Sequence, residues 1–205
     1  NGRPVAALGD ASMLSFHATK AFNSIEGGCV CFDETKHPGL SDRLYKLKNF
    51  GITGKESIEY VGGNAKMNEF AAAMGLVNLR HFEEWVTARK KVFERYAQNL
   101  TGVPGVRLLK KSENVTYNYA YMPVALDPAY FDRDEMYDRM VADGICPRKY
   151  FYPLVNDCAC YRDVLPAAET ATPVAYRLSK TVLTLPIYPD LPIDIVDEIC
   201  GYFAK

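Results

Sequence analysis

Lys20 stands in "SFHATKAFNSIEGG", residues 15–28, among small and hydroxyl-bearing neighbours. Ser15, Thr19 and Ser24 bring hydroxyls, His17 a polar ring, and Glu26 is followed by Gly27 and Gly28. A lysine amine attacks a carbonyl only after losing its proton, and partial desolvation promotes that loss. A strand leading in and a Gly-Gly pair leading out would present Lys20 at a strand end, towards a ligand. The residue composition alone also allows a plain surface lysine. A second lysine, in "GITGKES" (residues 51–57), invites comparison with a phosphate-binding loop. That loop needs a first Gly separated by four residues from Gly-Lys, and Ser or Thr after it, whereas position 49 is Asn and Glu56 follows Lys55.

The elements that must hold these residues follow from hydrophobic periodicity. Residues 13–16 and 28–32 read as short strands, with residues 16–27 between them. Leu44, Leu47 and Phe50 recur at helical spacing, which predicts a helix over 40–50. Residues 51–64 read as a glycine-rich loop. The strongest helical pattern covers 65–100, with Asn64 as its N-cap. Its stripe is read as Met67, Phe70, Ala71, Met74, Val77 and Leu79, then Trp85, Val92, Phe93 and Tyr96. The phase drifts near 80–84, which predicts two helices or one kinked helix. Beyond a turn at 101–106, strands are expected at 106–110 and 119–126. A helix opens on the Asp132-x-x-Glu135 capping pattern and closes at Gly144. A short helix over 172–180, a strand in "VLTLPIYP" and an amphipathic helix over 194–203 complete the pattern. The second half therefore mixes an antiparallel sheet with helices, while the first half has few strands for a sheet of its own.

The balance of 24 Lys plus Arg against 25 Asp plus Glu gives a net charge of −1, which marks neither nucleic acid nor membrane as a partner. No apolar run approaches a spanning length and no signal peptide opens the sequence, so a cytoplasmic location is expected. Six cysteines include the pairs Cys29/Cys31 and Cys158/Cys160. In an extended strand such spacing puts both sulfurs on one face. It is not the C-x-x-C spacing of common zinc sites, and reduced thiols with no metal are expected. The sequence starts at Asn1 without Met, which suggests a piece of a longer chain.

The stretch "SFHATKAFNSIEGG" resembles the lysine motif of the DegT/DnrJ/EryC1/StrS aminotransferases. "YKLKNFGITG", "GGNAKMNEFAAAMGLVNL", "RKYFYPL" and "LTLPIYPDL" resemble further segments of that family, in the same order and over nearly the whole chain. The resemblance implies an α/β chain of fold type I: residues 1–83 as the C-terminal portion of the large cofactor-binding domain, and residues 84–205 as a small α+β domain. It implies pyridoxal 5′-phosphate as cofactor, Lys20 as the residue that binds it covalently and then moves a proton, and Ser15 as a donor to its phosphate. Asn64 would reach the phosphate of a neighbouring subunit's cofactor, so a homodimer is implied. The implied reaction takes an amino group from glutamate to a nucleotide-linked keto-6-deoxysugar. Sequence details favour a dTDP sugar aminated at C4, with C3 as the other branch. A family dehydratase branch carries His in place of the lysine, so Lys20 favours amine transfer.

Two departures qualify the resemblance. The family's acidic partner for the pyridine nitrogen lies upstream of Asn1, together with the ring stacker and other phosphate donors, and Asp10 is too near Lys20 to replace that acid. Val155 and Asn156 follow "YFYPL" where many members have His. Arg148, Lys149 and Tyr150 are weighed evenly between the diphosphate of a sugar nucleotide and a solvated strand end. His17 is expected to be a packed, hydrogen-bonded ring, and the Glu26–Gly27–Gly28 turn to be structural. The rival readings are a non-catalytic interaction module that keeps the family's C-terminal half, and, more remotely, a thiol-metal module.

Overall fold

The computed structural model describes residues 2–204. The chain divides into two compact units, Asn1–Glu83 and Glu84–Lys205.

In the first unit, β1 (Ala11–Ser15) pairs antiparallel with β2 (Gly28–Phe32), Ala11 opposite Phe32 and Ser15 opposite Gly28. The lysine segment is the connection between them. Helix α1 (Leu40–Lys48) ends on Phe50 and Gly51, both at positive φ (60° and 75°). The Gly51 N–H reaches back to the Lys46 carbonyl at 2.8 Å, which closes the helix in the manner of a Schellman turn. Residues 51–64 are not all loop. β3 (Ile52–Gly54) and β4 (Ser57–Ile58) form a small antiparallel hairpin, because Ile52, Thr53 and Ile58 are β-branched residues flanking a tight Lys55-Glu56 turn.

Helix α2 (Glu69–Leu100) is one continuous helix, not two. It begins after Asn68, whose Oδ1 accepts the Ala71 N–H at 2.9 Å, so Asn68 and not Asn64 caps it. The apparent phase drift came from large apolar residues that lie outside. Phe70 is 87% exposed and Leu79 60% exposed. The inward positions run Ala71, Gly75, Asn78 and Phe82, then Val92, Phe93, Tyr96 and Leu100, and they keep helical phase throughout.

The second unit contains the rest of α2, a three-stranded antiparallel sheet in the order β5 (Val106–Leu108), β6 (Met122–Leu126), β7 (Val182–Leu185), and, among the described residues, four further α-helices. These are α3 (Arg133–Ala142), α4 (Ala168–Ala171), α5 (Pro173–Thr181) and α6 (Ile193–Gly201). The Asp132 side chain caps α3 as its sequence pattern predicts, accepting the Asp134 and Glu135 N–H groups at 2.8 and 2.9 Å. Met122, Val124 and Leu126 of β6 point into a core shared with Tyr96, Leu100, Met140, Leu183, Val196 and Phe203. Full burial of each such side chain is worth about 1.5–3 kcal/mol. Pro123 sits in the central strand, where proline is normally excluded. It faces Thr184, whose main chain bonds instead to Arg148 on the other side. The missing N–H of Pro123 therefore points past the end of β5, and no ladder bond is lost. No helix among the described residues is long and apolar enough to cross a membrane.

Candidate active site

The lysine turn is closed at its base by Phe16. Its N–H donates to the Gly27 carbonyl at 2.9 Å, and its carbonyl accepts the Ser24 N–H at 2.9 Å. The Lys20 N–H donates to the His17 carbonyl at 2.9 Å, and Lys20 itself is half-buried. His17 Nδ1 accepts the Thr19 N–H at 3.4 Å and lies 3.0 Å from Thr19 Oγ1. Its Nε2 faces Glu26 Oε1 at 3.5 Å. His17 is thus hydrogen-bonded, but it is exposed at the surface rather than packed. Ser24 is buried, and its hydroxyl donates to the Glu26 carbonyl at 2.8 Å. Of the three hydroxyls around Lys20, those of Thr19 and Ser24 serve the turn itself. Ser15 stands exposed at the end of β1, with its Oγ accepting the His17 N–H at 3.4 Å. Gly28 is required opposite it: a Cβ there would stand 2.9 Å from the Leu14 carbonyl.

Helix α2 forms the floor beneath this turn. The Phe22 ring meets Phe16 and Phe82 edge-on at 5.0 and 5.9 Å. Asn78 Nδ2 donates to the Asn23 carbonyl at 2.9 Å. A Cβ on Gly27 would come 2.7 Å from Met67 Cε, and one on Gly75 would come 3.3 Å from Ser24 Cβ.

Asn64 belongs to a second element of the first unit. Residues 63–65 run across the end of α1 and satisfy its last carbonyls: Gly63 N–H to Leu47 at 3.0 Å and Ala65 N–H to Lys48 at 2.9 Å. Asn64 bridges Asn49, and Lys66 Nζ donates to Asn49 Oδ1 at 3.1 Å. The Asn64 side chain is left exposed. A cavity of 940 Å³ lies between β1, β2, α1 and the start of α2, lined in part by Met13, Gly28, Leu44, Lys66 and Met67. Lys20, Ser15 and Asn64 are not among its walls.

Arg148, Lys149 and Tyr150 lie in the second unit, along a groove with Tyr137, Phe151 and Tyr152. The Arg148 main chain pairs with Thr184, so it extends the sheet beyond β7. Its guanidinium donates to Tyr150 Oη at 2.7 Å. Lys149 Nζ is committed to the Asp134 carboxylate and lies 4.3 Å from the centre of the Tyr137 ring. The hydrogen bond from Lys149, with the charge of Arg133, holds the Asp134 carboxyl below the usual carboxylate range. Arg133, 4% exposed, fixes the same corner by donating to the Ser179 carbonyl at 2.7 Å.

The DegT/DnrJ/EryC1/StrS aminotransferase family model matches residues 1–204. The chain belongs to this family. It is 36% identical over 181 residues to a dTDP-4-amino-4,6-dideoxy-D-glucose transaminase of Escherichia coli, covering 88% of this chain and 48% of the relative. The enzyme of the same name from Shigella dysenteriae is 32% identical, over 93% of this chain and 51% of its own length. Among solved structures, DesI with its TDP-sugar product superposes with a TM-score of 0.88 at 35% identity, over 98% of this chain and 50% of that one. The chain spans about half the length of the curated relatives it matches.

In this family member, Ser15 ends β1 and Lys20 lies in the turn that follows it. Asn64 is on a separate segment, and the Arg148 group lies in the other unit. Sequence reasoning missed Gly75 and Asn78. Their signal was present as small and polar residues in phase with Ala71 and Phe82, but a reading weighted by hydrophobicity passes over them. Cys29 and Cys31 share a face of β2, their sulfurs 3.7 Å apart, while Cys160 lies in a short 3₁₀ turn and Cys158 links that turn to the one before it, so neither is in a strand. Among the described residues, no group of three or more His, Cys, Asp or Glu is arranged to hold a metal ion.

Proposed function

We propose that the protein containing this chain transfers an amino group from glutamate to a keto-6-deoxysugar carried on dTDP, at C4, with pyridoxal 5′-phosphate as cofactor. The observation that carries this reading is the Lys20 turn: a half-buried lysine held by main-chain hydrogen bonds, with an exposed serine hydroxyl at the strand end. The names of the relatives from Escherichia coli and Shigella dysenteriae support the sugar and the carbon.

The donor set fits a phosphorylated aldehyde. Lys20 Nζ is the nucleophile for its carbonyl carbon, and Ser15 Oγ is a donor for its phosphate. Asn64, exposed and fixed by the Asn49 bridge, offers an amide to the phosphate of a second subunit's cofactor. When bound, the pyridinium ring supplies an electron sink for the substrate carbon that loses its proton. Lys20 Nζ would also serve as the base that takes that proton and returns it. Asn1–Glu83 then forms the C-terminal part of the large domain and Glu84–Lys205 the small domain. The exposed Phe70, Met74 and Val77 share one face of α2, the kind of stripe a homodimer covers, and the enzyme would work in the cytoplasm. In the second unit Arg148 is the better diphosphate ligand, because Lys149 is already neutralised by Asp134.

The test is an assay of the protein expressed from its complete reading frame, with glutamate, pyridoxal phosphate and a dTDP-4-keto-6-deoxy sugar. Formation of 2-oxoglutarate with nitrogen at C4 is expected, and Lys20→Ala abolishes it. Nitrogen at C3 would move the enzyme to the other branch. No 2-oxoglutarate from any dTDP-ketosugar would favour the interaction-module reading.

A further inference from the structure

We propose that Asn78 is the positioning residue for Lys20: its side-chain amide, fixed on α2, sets where the lysine turn sits along the helix. The inference rests on the reading of Lys20 given above.

Asn78 is 9% exposed and occupies the inward face of α2, between Gly75 and Phe82. Asparagine is a poor choice there for the helix alone. It is a weaker helix former than leucine, and burying its amide costs free energy unless that amide is hydrogen-bonded. The cost is offset by a contact 55 positions away in sequence: Nδ2 donates to the Asn23 carbonyl at 2.9 Å and lies 3.4 Å from Asn23 Oδ1. Asn23 is three residues past Lys20. The next residue, Ser24, is 1% exposed and is held by its N–H to Phe16 and its hydroxyl to Glu26. Asn78 therefore gives the helix a directional bond to the residues that follow Lys20.

Gly75 and Phe82 do a different job. The absent side chain of Gly75 lets Ser24 and Phe22 approach, and Phe82 receives the edge of Phe22. Apolar contacts of this kind fix depth but not register, because they are non-directional. A hydrogen bond with a preferred angle and length fixes register. A slip of one residue along the helix would move the turn by about 1.5 Å. Displacement of a reacting group by about 1 Å is enough to cost on the order of 100-fold in rate.

The test compares Asn78→Asp, which keeps the shape but loses the donor, with Asn78→Leu, in the intact protein. Hydrogen exchange is read without added cofactor, and pyridoxyl-Lys20 is quantified after borohydride reduction at saturating pyridoxal phosphate. The expected result is exchange of the Lys20 and Ser24 amides at least about tenfold faster in both variants. The amides of α2 should keep their protection, and the pyridoxyl-Lys20 yield per bound cofactor should fall severalfold. Unchanged exchange in the turn would overturn the proposal. So would exchange rising equally in turn and helix, because Asn78 would then serve only stability. If the turn loosens as expected but the unmodified protein yields no pyridoxyl-Lys20, the assignment of Lys20 is wrong. The positioning role then falls with it, although Asn78 still anchors the turn.

Discussion

Gly62 and Gly63 are adjacent in sequence and should respond oppositely to alanine. A Cβ on Gly62 would stand 2.4 Å from Gly51 N, 2.5 Å from the Leu47 carbonyl oxygen and 2.8 Å from Phe50 C, all of them backbone. A Cβ on Gly63 meets nothing within 4 Å. Restoring ordinary contact in Gly62→Ala requires the two segments to part by about 1 Å, and overpacking of this kind costs about 1–3 kcal/mol. The same movement strains the bonds from Gly63 N–H to Leu47 and from Ala65 N–H to Lys48, each worth about 1 kcal/mol. Alanine returns about 0.4–1 kcal/mol by restricting the unfolded chain. The net expectation is a loss of about 2–3 kcal/mol for Gly62→Ala and no loss for Gly63→Ala. Urea unfolding of the two variants measures the difference. Because Asn64 rides on the displaced segment, Gly62→Ala should also retain pyridoxal phosphate less well at equal folded fraction. Two variants within about 0.5 kcal/mol of each other would refute the crossing that places Asn64.

Other expectations are more local. Asp197 accepts from Arg95 Nε and Nη2 and from Asn99, each at 2.6 Å, and these hydrogen bonds hold its carboxyl below the usual value of 3.8. A depressed folded-state pKa contributes stability that is present above the unfolded pKa and lost as pH falls through the folded one. Acid unfolding below about pH 4 should therefore flatten in Asp197→Asn, as read by circular dichroism against pH. Arg148→Met should raise the KM for the sugar nucleotide by about 10-fold or more, the worth of a charge-assisted hydrogen bond. Lys149→Met should leave that KM within about twofold, since its ammonium is taken by Asp134, and steady-state kinetics separates the two.

The lysine turn was legible because chemistry and conformation point the same way there: a lone lysine, hydroxyls and Gly-Gly between two short β segments. The capping of α3 was legible for a similar reason, since Asp132 acts on its nearest neighbours. What failed depended on distant partners. Asn64 looks like an N-cap until Asn49 is seen to claim its backbone. Ser24 looks like a ligand hydroxyl until the turn folds it inward. Large apolar side chains drew the helical stripe of α2 towards Phe70 and Leu79, while the buried face used Ala71, Gly75 and Asn78, where close approach mattered more than apolar area. The hairpin at 52–58 was hidden because its strands are too short for a period of two to register.

The central claim is that Lys20 is the residue that holds the cofactor. Purified protein from the complete reading frame is incubated with pyridoxal 5′-phosphate, reduced with borohydride, digested and mapped by mass spectrometry. A visible absorption band lost on reduction, with the pyridoxyl group on Lys20 and its disappearance in Lys20→Ala, is the predicted result. A pyridoxyl group on Lys55 or Lys66, or an unchanged band in Lys20→Ala, would contradict it.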